Sequence, residues 1–171
     1  MSDITIKPLT TELIPDFFDF FNNRAFTDNP PWGGCYCICW QMTKAEEQAQ
    51  LIDRTEELGG GDENFMRALR EIVVRQITSG LLRGYLAYAD GLSIGWCNAN
   101  DKANFPLESA NGARLYSPAE MRENAVICFE IAPEYRGKGV ATALLDRVVA
   151  DAAAEGYLAV EGFPQVHSER N

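Results

Sequence analysis

The chain has 171 residues, 46% of them apolar, with 25 acidic against 15 basic side chains and a net charge of −10. That length and apolar content suit one domain with a real core. The charge, with no cluster of Lys or Arg, excludes the basic stripe that a nucleic-acid backbone demands. No apolar run is long enough to span a bilayer. Met1-Ser2-Asp3-Ile4-Thr5 lacks the basic and apolar regions of a signal peptide. The expectation is a cytoplasmic protein with no membrane partner. Excess acid keeps such a protein soluble, and it also draws in cationic small molecules or basic peptides.

Ile4 to Leu9 alternates and predicts a first strand. A helix follows from near Pro15, a residue suited to a first turn, with Leu13, Phe17, Phe20 and Phe21 on one face. Asn29-Pro30-Pro31-Trp32-Gly33-Gly34 breaks the chain into a loop over 24–34. Cys35 to Met42 reads as a short strand or a packed loop. Thr43 and Glu46 have capping-box spacing and open a charged helix to about Leu58. Gly59-Gly60-Gly61 ends it, Asp62 is expected to cap a second helix with the stripe Phe65, Leu69, Ile72, Val73 and Ile77, and Gly80 closes that one. The runs 84–89 and 92–97 flank Asp90-Gly91, a two-residue hairpin turn. A polar loop is expected from Asn98 to about Glu123, then a buried strand over 125–131, a long helix to about Glu155, and a last strand from Tyr157 to Phe163. The order predicts an α/β (mixed α+β) fold: a mixed sheet flanked by helices. It has one domain over 1–171, with a helical insertion around 43–80.

The richest stretch is Arg136-Gly137-Lys138-Gly139-Val140-Ala141, between the buried strand and the long helix. A glycine turn there exposes backbone N–H groups at a helix N-terminus, a site for a diphosphate. A dinucleotide fingerprint fits poorly, because its third glycine position is Thr142, although Glu161 can stand in for the acid. A Walker loop fits no better, since Gly137-Lys138 is followed by Gly139.

Arg136-x-x-Gly139-x-Ala141 resembles the acetyl-CoA signature of the GNAT N-acetyltransferases, Q/R-x-x-G-x-G/A. Ile131-Ala132-Pro133-Glu134-Tyr135 before it, Ala141 to Leu145 after it and Ile94-Gly95-Trp96 in the hairpin extend the likeness. It is strong from Tyr85 onward and closest to poorly characterised bacterial members. The resemblance implies the GNAT acyl-CoA fold and acetyl-CoA as co-substrate, with no metal. It implies direct attack of a small-molecule or peptide amine on the thioester. Arg136, Gly137, Lys138, Gly139, Val140 and Ala141 would hold the diphosphate, and backbone groups of Phe129 and Ile131 the pantetheine arm.

An ammonium acceptor must lose a proton before it attacks. Glu130, in the apolar run before the turn, is the expected catalytic base, its pKa raised by partial burial. It can instead face solvent or pair with a nearby Arg. Asn98 and Asp101, at the end of the hairpin, and Trp32 and Tyr36, in an aromatic region with Phe26 and Trp40, are the candidate acceptor-binding residues. An Asn/Asp turn and a plain core explain them equally. Cys35, Cys37 and Cys39 alternate, unlike the usual zinc spacing, and the one histidine is His167. Free thiols are expected, with Cys97 and Cys128 buried in strands.

The resemblance weakens at the end. Family members continue past the last strand into a helix and a closing hairpin whose tyrosine protonates the leaving thiolate. No such tyrosine is found before Asn171, and Tyr157 does not map onto it. A shortened chain would leave the last strand with an open edge, which a second copy would cover as a homodimer. A CoA-binding sensor or interaction module without efficient catalysis is the alternative function.

Overall fold

A computed structural model describes residues 3–110 and 121–163. His167, the tail 165–171 and the middle of the expected polar loop, 111–120, lie outside the described residues. Five strands form one sheet in chain order: β1 (Thr5–Pro8), β2 (Gly84–Ala89), β3 (Leu92–Asp101), β4 (Glu123–Ile131) and β5 (Ala159–Gly162). The first three pairings are antiparallel and β4 with β5 is parallel, so the sheet is mixed.

Helix α1 (Ile14–Asn23) starts with proline in its first turn and buries Phe17, Phe18, Phe20 and Phe21. Phe17 stands edge-on to Trp96 of β3 at 5.0 Å between ring centroids. Each such aromatic contributes about 1.5–3 kcal/mol by leaving water, so this cluster fixes α1 on the sheet. Thr43 and Glu46 do form a capping box, which opens α2 (Lys44–Glu47). The expected single charged helix is interrupted by a π-helical turn over Gln48–Ile52 before α3 (Asp53–Glu57). Helix α4 (Gly61–Ser79) is capped by Gly60 rather than Asp62, because Gly59, Gly60 and Gly61 all take positive φ and only glycine enters that backbone freely. The cap at Gly80 is left-handed, as its type predicts.

The β2–β3 hairpin turns on Asp90 (φ 50°) and Gly91 (φ 80°), both left-handed as a two-residue turn requires. Strand β3 runs on to Asp101, which corrects the loop expected from Asn98. Buried polar residues explain the difference: Asn98 donates to the Cys37 carbonyl at 3.2 Å and accepts from Gln41 Nε2 at 3.0 Å. Asn100 donates to the Leu81 carbonyl at 2.9 Å. Their side chains replace water with partners, so a polar strand survives inside. The last strand is shorter than expected and begins at Ala159.

Two apolar clusters lie on opposite faces of the sheet. One joins α1, α4 and the 36–42 segment to Leu86, Tyr88 and Trp96. The other joins α5 (Val140–Ala154) through Val140, Leu144 and Val148 to Ala87, Cys97 and Val126. No helix among the described residues is long and apolar enough to cross a membrane.

Candidate active site

Strand β4 pairs with β3 along its length and with β5 over its first half: among the described residues, Glu123 to Val126 pair with Ala159 to Gly162. The register with β3 also slips there: Asn98 faces Cys128 but Ala99 faces Val126, leaving Ile127 as an extra residue in β4. Such a bulge bends its strand. The bulge lies where the described β4–β5 pairing ends.

Backbone direction in that half follows from one bond. Ala132 N donates to Ile94 O at 3.0 Å, so it faces β3. Alternate residues of a strand point the same way. Glu130 and Cys128 therefore pair with β3, while the backbone groups of Phe129 and Ile131 point away from it. The Ile131 carbonyl accepts from Arg136 Nε at 2.9 Å, which agrees with this direction.

The glycine turn follows β4 and leads into α5. Gly137 (φ 72°) and Gly139 (φ 83°) are left-handed, and a Cβ placed on either would meet nothing within 4 Å. Space in front of the turn is open. Gly139 is the N-cap of α5, no side chain caps the helix, and its first turn carries no acid. The first N–H groups of α5 are left without helical partners and lie at the positive end of its dipole. This cradle fits a diphosphate. Val140 is buried against the sheet and fixes the first turn in place.

Glu130 lies opposite Trp96, on the face of α1 rather than that of α5. Its side chain is 18% exposed. Burial raises its pKa above the ordinary carboxylate value, and Arg136 partly offsets this. Arg136 is not aimed at the glycine turn. Its guanidinium pairs with Asp28 and with Glu130, the latter at 3.3 Å. Asp28, 108 residues away in the chain, carried no motif by which to find it.

The acceptor-binding candidates do not come together. Tyr36 is 1% exposed, packs on Phe17, Phe18 and Phe21, and donates to Asn22 at 2.7 Å, so it is core. Asn98 is 0% exposed and holds the Cys37 segment on the sheet. Trp32 is 61% exposed on a short helical turn. Asp101 accepts from Ala103 N and from the Tyr157 hydroxyl. It is five residues along β3 from the level of Glu130, roughly 16 Å at about 3.3 Å per residue. The cysteines are free. Among the described residues no group of three His, Cys, Asp or Glu is placed to hold a metal ion.

A mixed five-stranded sheet flanked by helices, with a glycine turn into an uncapped α5, is the architecture of an acyl-CoA transferase. The model of the acetyltransferase (GNAT) family matches residues 53–169, and the chain belongs to that family of N-acetyltransferases. Solved structures agree on the fold. A probable acetyltransferase superposes with TM-score 0.55 at 15% identity, over 97% of this chain and 82% of that one. The aminoglycoside N-acetyltransferase AAC(6')-Iy, in complex with the bisubstrate analog CoA-S-monomethyl-acetylneamine, gives 0.54 at 13% identity, over 98% and 83%. A ribosomal-protein-alanine N-acetyltransferase from Brucella melitensis biovar Abortus 2308 gives 0.51 at 14%, over 97% and 83%. No curated protein matches the chain.

Proposed function

We propose that the protein is an acetyl-CoA-dependent N-acetyltransferase acting on a cationic small-molecule amine by direct attack on the thioester. The glycine turn into the uncapped N-terminus of α5 carries this reading. The N–H groups from Lys138 to Ala141 hold the diphosphate, and Gly137 and Gly139 let it approach the backbone closely. Phe129 and Ile131 offer backbone groups, along the β4 edge that points away from β3, to the pantetheine arm. The bound donor supplies an activated thioester carbonyl. An N–H on that edge donates toward the negative charge that develops on the carbonyl oxygen.

Glu130 takes the acceptor's proton, directly or through one water. An alkylammonium has a pKa of about 10.4 and is protonated at neutral pH. A largely buried carboxylate with a raised pKa is a stronger base than an exposed one. Asp28 and Glu130 share one guanidinium between them. Two carboxylates around a single cation, in a chain of net charge −10, favour a cationic acceptor.

Residues 1–171 form one domain in this proposal, with the helices of 43–80 as its insertion. Its free thiols suit a reducing, cytoplasmic compartment. A second copy pairing along the outer edge of β5 completes the proposal, and light scattering at high micromolar concentration tests it: a monomeric mass counts against the dimer. Function itself is tested by calorimetric titration with acetyl-CoA, followed by an amine panel read by thiol release. Binding with release toward a cationic amine is expected. Binding with no transfer to any amine would make the protein a CoA-binding module instead.

A further inference from the structure

The proposed mechanism uses none of the five cysteines, yet several of them converge beside Glu130. Cys37 Sγ lies 3.5 Å from Cys128 Sγ, joining the segment before α2 to β4. Cys35 is two residues before Cys37 on the same segment. Cys128 is two residues before Glu130 on the same face of β4, and next to the bulge at Ile127. Cys37 takes φ 57°, a left-handed conformation rare for a residue with a side chain. Backbone strain of about 1–3 kcal/mol persists only where the surroundings enforce it. Here the Asn98 side chain grips the Cys37 carbonyl.

Access and reactivity divide the three thiols. Cys35 is partly exposed, while Cys37 is buried. The Cys37 thiol beside it lowers the Cys35 pKa to about 6, whereas Cys37 itself is held well above its ordinary value by its two sulfur neighbours and burial. Cys39 is pushed up to about 12, mainly by burial. The thiolate is the nucleophilic form, so Cys35 is the one primed to react.

We propose that Cys35, Cys37 and Cys128 form an oxidant-reactive thiol site, taking hydroperoxides and ending in a Cys37–Cys128 disulfide. The Cys35 thiolate attacks one peroxide oxygen. The O–O bond breaks, the second oxygen leaves as hydroxide and takes a proton to become water, and Cys35 becomes a sulfenic acid. Cys37 then attacks the Cys35 sulfur, and hydroxide leaves with the Cys37 proton as a second water. Cys128 attacks Cys37 in turn, and Cys35 leaves as thiolate while the Cys128 proton passes to solvent. Two thiols lose two electrons, and hydrogen peroxide becomes two waters. A dithiol reductant reverses the product by the same exchange.

The disulfide reaches the acetyl site through distance alone. A disulfide holds its sulfurs about 2.05 Å apart, so the 3.5 Å pair must close by more than an ångström. Closure pulls the bulged part of β4 toward the 35–42 segment. Displacing reacting groups by about 1 Å costs on the order of a hundredfold in rate.

The experiment treats the full chain with hydrogen peroxide and maps linked peptides by mass. The expected product is a Cys37–Cys128 link, with the intact mass lowered by two hydrogen atoms and restored by a dithiol. Cys128→Ser should stop at a Cys35–Cys37 link, and Cys35→Ser should react much more slowly. A map with no Cys37–Cys128 link, or with oxidation confined to Cys39 or Cys97, overturns the proposal. So does an equal oxidation rate in Cys35→Ser. The map needs no catalysis, so its failure is distinct from failure of the acetyl-transfer reading. Where transfer is measured, oxidation should lower it at least tenfold in the wild type.

Discussion

The guanidinium of Arg136 lies 3.3 Å from the carboxylate of Glu130, four residues beyond the last β4 residue described as pairing with β5. One residue of the glycine-turn signature thus steadies the proposed base. Two forces act on that carboxylate in opposite directions. Burial favours its protonated form, Arg136 favours its ionised form, and burial prevails.

Arg136→Gln removes the ionising influence and leaves burial unopposed. The Glu130 pKa then rises further, so a larger fraction is protonated at any given pH. The acid limb of kcat/KM, which reports the free enzyme, is expected to move to higher pH. A limb that stays in place or moves to lower pH would separate Glu130 from the limb.

Gly139→Ala forces a side chain into φ 83°. Nothing lies within 4 Å of the added carbon, so the cost is backbone strain, about 1–2 kcal/mol. Urea unfolding should show that loss, and acetyl-CoA titration should show weaker binding as the first N–H groups of α5 shift.

Gly95→Ala acts by contact instead. The new carbon would lie 2.9 Å from Ile131 Cδ1 and 3.0 Å from Val140 Cγ1, where β3, β4 and α5 meet. Overpacking of this kind costs about 1–3 kcal/mol. Because Val140 seats the first turn of α5, the KM for acetyl-CoA should rise along with the loss of stability. Gly84→Ala should be far worse, since its carbon would sit 2.0 Å from the Cys97 carbonyl oxygen.

Lys102 is buried and pairs with Glu123 of β4 at 3.0 Å and with Glu161 of β5 at 2.5 Å. It ties the two strands together at the end where they still pair. Lys102→Ala leaves both carboxylates without this cation. Two neighbouring carboxylates without their shared cation repel each other, which destabilises this end of the sheet. Thermal unfolding should show a large drop in Tm.

The elements around the glycine turn were legible because local rules govern them. A turn at Asp90-Gly91, helix caps at Thr43 and Gly80 and a glycine turn into α5 are each fixed by a few adjacent residues. The far half of β3 was not legible. Asn98 and Asn100 read as a loop because their polarity is visible in sequence, while Gln41, Cys37 and Leu81, which satisfy them, are distant. The acceptor candidates do not come together for a related reason. Aromatic type alone does not separate the core Tyr36 from the exposed Trp32. Asp28 at Arg136 and Cys37 at Cys128 are joined only by the fold.

The central claim is that Glu130 drives acetyl transfer from a cofactor held at the α5 turn. Its most direct test is thiol release from saturating acetyl-CoA with a cationic amine acceptor, compared between the wild type and Glu130→Gln, with cofactor affinity measured alongside. The account predicts a fall in kcat of about 10²–10⁴, with acetyl-CoA affinity nearly unchanged. Undiminished transfer by Glu130→Gln would contradict it.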